Sequence, residues 1–81
     1  MDDLISKFGI QVDNNNEKRI VVGITEKEYN RIYNILSKDR EFEEVDTSNI
    51  DNTIYESDKY MVTLQFNEEE EDPYVLIMEE K

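Results

Sequence analysis

Residues 20–38, IVVGITEKEYNRIYNILSK, decide the fold because they join a strand directly to a helix. The run 20–24 is dominated by β-branched residues, which favour a strand. Thr25 and Glu28 follow as a capping box, in which the Thr25 hydroxyl accepts from the backbone N–H of Glu28 and the Glu28 carboxylate reaches back. Apolar residues then recur at helical spacing: Tyr29, Ile32, Tyr33, Ile35 and Leu36. The pattern predicts a strand over 18–24 that leads into a helix over 26–38.

Upstream of this stretch, the pattern predicts a second strand and a short helix. Ile10 and Val12 alternate before the polar cluster 13–17, and Asn and Asp favour turns because their side chains bond to nearby backbone groups. Strands over 9–13 and 18–24 are therefore expected to form a hairpin. Residues 1–8 predict a helix that is closed by Gly9, with Leu4, Ile5 and Phe8 facing inward.

Downstream of the helix, the sequence predicts further strands. Residues 60–66 alternate apolar and more polar positions, which is the period of a half-buried strand. Residues 74–78 are an unbroken apolar run, typical of a strand that is buried on both faces or has one weakly polar face. The loop 67–73 is expected to join these two strands as a long hairpin. A weaker strand is predicted over 41–46, a turn-rich stretch over 47–53, and a short strand from Ile54 and Tyr55.

Together these patterns predict one small α+β domain over residues 1–81, in the order (α)ββαβββ. An antiparallel sheet with the central helix packed on one face is the simplest architecture for this order. Apolar residues make up 37% of the chain, which is more than a disordered chain of this charge normally contains.

The composition excludes several kinds of catalysis. The 81 residues include no Cys and no His, so thiolate chemistry, Cys-based zinc sites and a Ser-His-Asp triad are ruled out. Gly9 and Gly23 are the 2 glycines, and they do not form a phosphate-binding loop. The clusters 13–17 and 46–58 lack the glycine that a calcium-binding EF-hand loop requires. We therefore expect no enzymatic activity, no cofactor and no dedicated metal site.

The chain lacks the usual signals for export or membrane insertion. Its first residues, MDDLISK, have no basic segment followed by an apolar run. No apolar stretch approaches the roughly 20 residues that span a bilayer. We expect a cytoplasmic protein that binds no membrane, in the host cytoplasm if the gene is carried by a phage. The lack of Ala and Trp and the abundance of Asn, Ile, Lys, Glu and Asp are typical of an AT-rich genome.

The net charge of −12 is confined to the second half of the chain. Residues 1–40 contain seven acids and seven bases, whereas residues 41–81 contain fourteen acids and two bases. If the later strands belong to one sheet, these acids are expected along one face and one rim. The predicted partner-binding residues are Glu41, Glu43, Glu44, Asp46, Glu56, Asp58, Glu68, Glu69, Glu70, Glu71 and Asp72.

This charge predicts a basic protein as the partner. Proteins that bind DNA meet its phosphates with Lys and Arg, and carboxylates on neighbouring strands lie at spacings that Arg can bridge. We expect an inhibitor that occupies the basic nucleic-acid-binding groove of an enzyme by mimicking phosphate charge, with Tyr55 or Tyr60 as an apolar anchor. In size, charge and lack of catalytic residues the chain is similar to small phage-encoded inhibitors of restriction, CRISPR and DNA-repair enzymes, a likeness of composition alone.

Two other hypotheses stay open. The chain could be a protein-interaction module, such as an immunity protein or an assembly subunit, that binds through a sheet edge or by homodimerisation. The acids could equally serve only solubility, and both a monomer and a homodimer are compatible with the sequence. Direct binding of nucleic acid is disfavoured, because the net charge would repel phosphates.

Crowded carboxylates also predict how stability depends on pH and salt. Mutual repulsion is expected to raise the pKa of some of them in the folded state. A carboxyl whose pKa rises on folding makes the fold less stable as pH increases. We therefore expect a higher melting temperature at about pH 5–6 than at about pH 8, and a higher one in added salt.

Overall fold

The computed structural model describes residues 2–12, 18–45, 52–69, 71 and 73–81. Within them, two helices and five strands follow in the order α1 (Asp2–Phe8), β1 (Arg19–Ile24), α2 (Glu26–Lys38), β2 (Glu43–Val45), β3 (Asn52–Glu56), β4 (Tyr60–Phe66) and β5 (Tyr74–Glu80). The strands form one antiparallel sheet in the order β1-β5-β4-β3-β2. The predicted α+β class, with an antiparallel sheet and the central helix packed on it, is confirmed.

Helix α2 begins and ends where the sequence predicts. The Thr25 hydroxyl accepts from the Glu28 backbone N–H at 3.1 Å, and the Glu28 carboxylate accepts from the Thr25 N–H at 3.0 Å. Ile32 and Leu36 are buried, so this side of the helix packs toward the sheet. In the described part of the chain, neither helix is long and apolar enough to cross a membrane.

The predicted strand over 9–13 is wrong for its described residues, 9–12. Gly9 ends α1 with a φ of 66°, a conformation that glycine adopts without steric penalty. The Arg31 guanidinium of α2 then donates to the carbonyls of Phe8 and Gly9 at 3.1 and 3.2 Å. Ile10 turns into the core, and Val12 packs against it. The alternation of Ile10 and Val12 therefore reflects burial beside the helices, and not strand pairing.

The other strands differ from the prediction mainly at their ends. β5 continues past residue 78 because Glu79 pairs with Arg19, and because the Glu80 N–H donates to the Lys18 carbonyl at 2.8 Å. β3 begins at Asn52, two residues before the predicted start, and β2 is confirmed over 43–45. Among the described residues, one strand precedes α2 and four follow it, where the sequence analysis predicted two and three.

The core lies between the two helices and one face of the sheet. Val62 and Leu64 of β4 and Leu76 and Met78 of β5 have no solvent exposure, and they pack in one cluster with residues of both helices, including Phe8, Ile32 and Leu36. Alternate residues of a strand point to opposite faces. The intervening residues of each strand therefore form a second face, turned away from α1 and α2, which we call the open face.

Candidate protein-binding interface

The open face carries apolar side chains in rows across the strands. The register aligns Ile54, Thr63, Ile77 and Val21 in one row, and Gln65 with Val75 in the next. Val21 is 53% exposed, and the other apolar residues are partly covered by their neighbours in the sheet. Within the described residues, none of them belongs to the core or packs against it. The apolar members of the face are Val21, Val45, Ile54, Met61, Val75 and Ile77.

One end of the open face is bordered by Glu43, Glu56 and Glu79, which we call the acidic row. Glu43 lies directly opposite Glu56 in the pairing of β2 with β3. Met61 lies between Glu56 and Glu79 in the same row, and Arg19 follows at the edge. Neighbouring strands are about 5 Å apart, so carboxylates directly opposite each other repel and destabilise the fold. The acidic row is therefore a feature that folding alone would not favour.

Two weak ion pairs offset part of this charge. Lys81 Nζ lies 3.1 Å from Glu56 Oε2, and Arg19 Nε lies 3.6 Å from Glu79 Oε1. All four side chains are at least 39% exposed, and exposed pairs contribute about 0–1 kcal/mol. Within the described residues Glu43 has no such partner. An Arg of a partner can thus replace Lys81 or Arg19 beside these carboxylates at a small cost in free energy.

The opposite end of the strands carries the acidic loop, whose described acids are Glu68, Glu69 and Glu71. The Asn67 N–H donates to the Pro73 carbonyl at 2.8 Å and closes the hairpin between β4 and β5. From Met61 to Asn67 the chain advances six residues, which is about 20 Å along a strand. The acids expected along one face and one rim are therefore divided between two ends of the sheet.

The remaining predicted site residues lie apart from the open face. Glu41 follows α2 in a turn, and Asp58 lies in the turn between β3 and β4. Glu44 is on the helix side, opposite Tyr55. Asp46, Glu70 and Asp72 lie outside the described residues.

Tyr55 is a poor choice of anchor for a partner. Tyr55 is 5% exposed, and its ring meets the Tyr33 ring edge-on at 6.3 Å between centroids. Burial, followed by the neighbouring charge of Tyr33 and Glu44, raises the pKa of Tyr55. The expectation that Tyr55 serves as an anchor is therefore wrong. Among the described residues the exposed large apolar side chains are Val21 on the open face, 53% exposed, and Tyr33 of α2, 40% exposed.

A cleft of about 670 Å³ opens beside the acidic row, between α1, residues 40–43, the turn 57–59 and Lys81. At its wall, the Tyr60 hydroxyl donates to Asp3 at 2.6 Å. This bond lowers the pKa of Asp3 and raises the pKa of Tyr60 to about 12. A hydrogen bond from Lys7 likewise lowers the pKa of Asp39. A general acid or base at neutral pH needs a pKa shifted toward neutrality, and these three groups shift away from it.

The acids of the described part do not converge on a metal site. No group of three or more carboxylates there is close enough to hold an ion together. Their separation follows from the fold, because the acidic row and the acidic loop lie at opposite ends of the strands.

Glu79 was missed as a site residue because the predicted strand ended at residue 78. Its signal was present in the sequence, since Val75, Ile77 and Glu79 are alternate residues and so share a face.

Comparison of the chain with protein-family models, curated proteins and solved structures finds no match. The geometry and charge of the described residues are therefore the basis for assigning a function.

Proposed function

We propose that the protein is a non-catalytic inhibitor that occupies the basic nucleic-acid-binding groove of a partner enzyme, where its carboxylates take the place of phosphates. A restriction, CRISPR or DNA-repair enzyme is the class of partner that this mode of binding implies. The observation that carries the proposal is a surplus of exposed carboxylates without an ion pair among the described residues after residue 40: Glu41, Glu43, Glu44, Asp58, Glu68, Glu69, Glu71 and Glu80.

The electrostatics of such a surface favour fast and selective capture of a basic protein. Unpaired carboxylates create a negative field that steers a positively charged groove toward the surface. Once in contact, each carboxylate can accept two parallel hydrogen bonds from an Arg side chain, as a phosphate does. The predicted affinity therefore falls steeply as salt screens the attraction.

The spacing within the acidic row suits this role. Glu43 and Glu56 lie on adjacent strands, about 5 Å apart, and Glu79 lies two strands beyond Glu56, about 10 Å away. The acidic loop adds a second group of carboxylates about 20 Å along the strands. A groove that contacts both ends would meet charge over a length comparable to several nucleotides of duplex DNA.

The test is a pull-down from the lysate of an AT-rich bacterium with the tagged protein, eluted by a salt gradient. The expected result is a nucleic-acid-binding protein that elutes at intermediate salt. Glu69→Lys should move its elution to lower salt, whereas Glu26→Lys, which changes the charge equally on α2, should leave the elution position nearly unchanged. Equal effects of the two substitutions would contradict an interface in the second half of the chain.

The open face favours a second candidate function, a protein-interaction module such as an immunity protein or an assembly subunit. Apolar rows of this kind bury surface against a partner with little dependence on salt. In that case the retained protein would survive high salt and need not bind nucleic acid. The same salt gradient therefore separates the two candidates.

A further inference from the structure

We infer that the open face binds an amphipathic helix of the partner, one with apolar residues along one side and Arg or Lys at both ends. This inference rests on the proposed function and identifies the surface and the partner element through which it would act.

The apolar side chains of the open face are partly or largely exposed, and a helix that lies along the strands would cover them. A sheet that exposes apolar residues is stabilised by a second layer, as α1 and α2 provide on the other face. In the described residues Val21, Ile54 and Ile77 do not belong to the core cluster that the helices cover, and Val21 is 53% exposed. The aligned rows run across the strands, so a helix that lies along the strands meets each row in turn. On β4 and β5 the apolar side chains it would meet are Met61, Ile77 and Val75, which form a strip as narrow as the apolar side of a single helix.

The charges place the basic groups of that helix at its two ends. The two rows between the acidic row and the acidic loop contain no charged residue, since Thr63, Gln65 and Asn52 are their polar members. A helix that lies along the strands over about 20 Å has roughly 14 residues. Its ends would then reach Glu43, Glu56 and Glu79 on one side and the acidic loop on the other.

A second copy of the chain is a poor occupant of the same face. Each copy carries a net charge of −12, and both ends of the open face are acidic. Two sheets stacked face to face would therefore bring acids against acids whichever way their strands ran. Helices that read the major groove, in contrast, are a common element of DNA-binding proteins. Binding of such a helix by the open face would block the element with which the partner contacts DNA.

The experiment uses two synthetic peptides of identical composition, each of about 14 residues. The first places Leu and Ile on one side of a helix with Arg at both ends, and the second has the same Arg ends but scatters the apolar residues around the helix. Binding to the full-length protein is measured by titration calorimetry, and the contacted residues are mapped from amide chemical shifts. We expect the first peptide to bind at least tenfold more tightly and to shift resonances of β1, β4 and β5 on the open face.

Variants of the protein locate the site. The double substitution Val21→Thr with Ile77→Thr keeps β-branched side chains and charge, so the fold should persist while affinity for the first peptide falls at least tenfold. Asn30→Asp, an exposed position on α2, is the control and should leave affinity unchanged. Equal affinity of the two peptides, or no effect of the double substitution, would overturn the inference.

The outcomes also separate this inference from the proposed function. If the two peptides bind with equal affinity, and salt lowers both affinities equally, the result would support charge mimicry and contradict binding of an amphipathic helix. If neither peptide binds, the inference that the open face binds a helix is wrong. The pull-down then still tests which class of protein is the partner. Concentration-dependent dimerisation that the double substitution abolishes, measured by sedimentation, would assign the face to a second copy and contradict the inference.

Discussion

At the scale of single residues, the hydrogen bond from Tyr60 to Asp3 fastens α1 to the end of β4. The bond lowers the pKa of Asp3 from 3.8 and raises the pKa of Tyr60 from 10.0 to about 12. A lowered carboxyl pKa adds stability that is lost as pH falls through the folded value. A raised tyrosine pKa adds stability that is lost as pH rises through the folded value. The bond therefore stabilises the fold mainly between about pH 4 and pH 10.

Tyr60→Phe tests this account. It should lower the free energy of unfolding by about 1 kcal/mol near neutral pH, because it removes one exposed hydrogen bond to a charged group and keeps the ring. The difference from wild type should shrink as pH falls below about 4 and as it rises above about 10. Denaturant unfolding across pH measures it. Tyr74→Phe is the control, since the Tyr74 hydroxyl has no hydrogen bond among the described residues. If the loss of unfolding free energy does not depend on pH, the Tyr60 hydroxyl does not stabilise the fold through its bond to the Asp3 carboxylate.

A substitution at Glu43, which lies opposite Glu56, tests whether repulsion within the acidic row destabilises the fold. Glu43→Gln should raise the free energy of unfolding by about 0.5 kcal/mol, because it removes a like charge directly opposite Glu56. Glu41→Gln, in the turn after α2, should change stability less. Thermal melts at low salt provide the comparison. A loss of stability on Glu43→Gln would show that the row is internally compensated and that its charge needs no functional explanation.

At the scale of elements, the cap of α2 is the feature that sequence determines most completely. Thr25→Ala removes the hydroxyl that accepts from Glu28 N–H, and should lower the free energy of unfolding by about 1 kcal/mol. Thr25→Ser keeps an acceptor and should lose much less. Equilibrium unfolding in urea, with an unchanged denaturant dependence, would confirm the effect. Equal losses in the two variants would place the role of Thr25 in packing.

The elements were predicted best where local chemistry decides them. The capping box and helical spacing located α2, and strict alternation located β4. Ile10 and Val12 also alternate, yet they pack beside the helices, because Gly9 and the Arg31 contacts redirect the chain after α1. Such redirection depends on a residue more than 20 positions away, so no local pattern contains it.

The candidate site was predictable in its charge and not in its shape. The sequence locates the acids in the second half, but their division into the acidic row and the acidic loop depends on strand order and register. The apolar run 74–78 was compatible with burial on both faces. In the structure Leu76 and Met78 are buried, whereas Val75 and Ile77 lie on the open face, because both helices cover the same side.

At the scale of the whole molecule, a net charge of −12 on 81 residues should make stability depend on ionic strength. Raising sodium chloride from about 0.05 M to about 0.5 M should increase the melting temperature, because it screens repulsion among exposed carboxylates. Calorimetry at several salt concentrations measures the change in melting temperature. A melting temperature that does not respond would mean that the acids are locally balanced.

The central claim is that the acidic surface takes the place of nucleic acid on its partner. The most direct measurement is displacement of the protein retained in the pull-down by increasing duplex DNA at constant ionic strength. The account predicts that DNA releases the retained protein in proportion to its concentration, since both ligands compete for one basic groove. Retention that DNA does not affect, at a salt concentration where the partner still binds DNA, would contradict it.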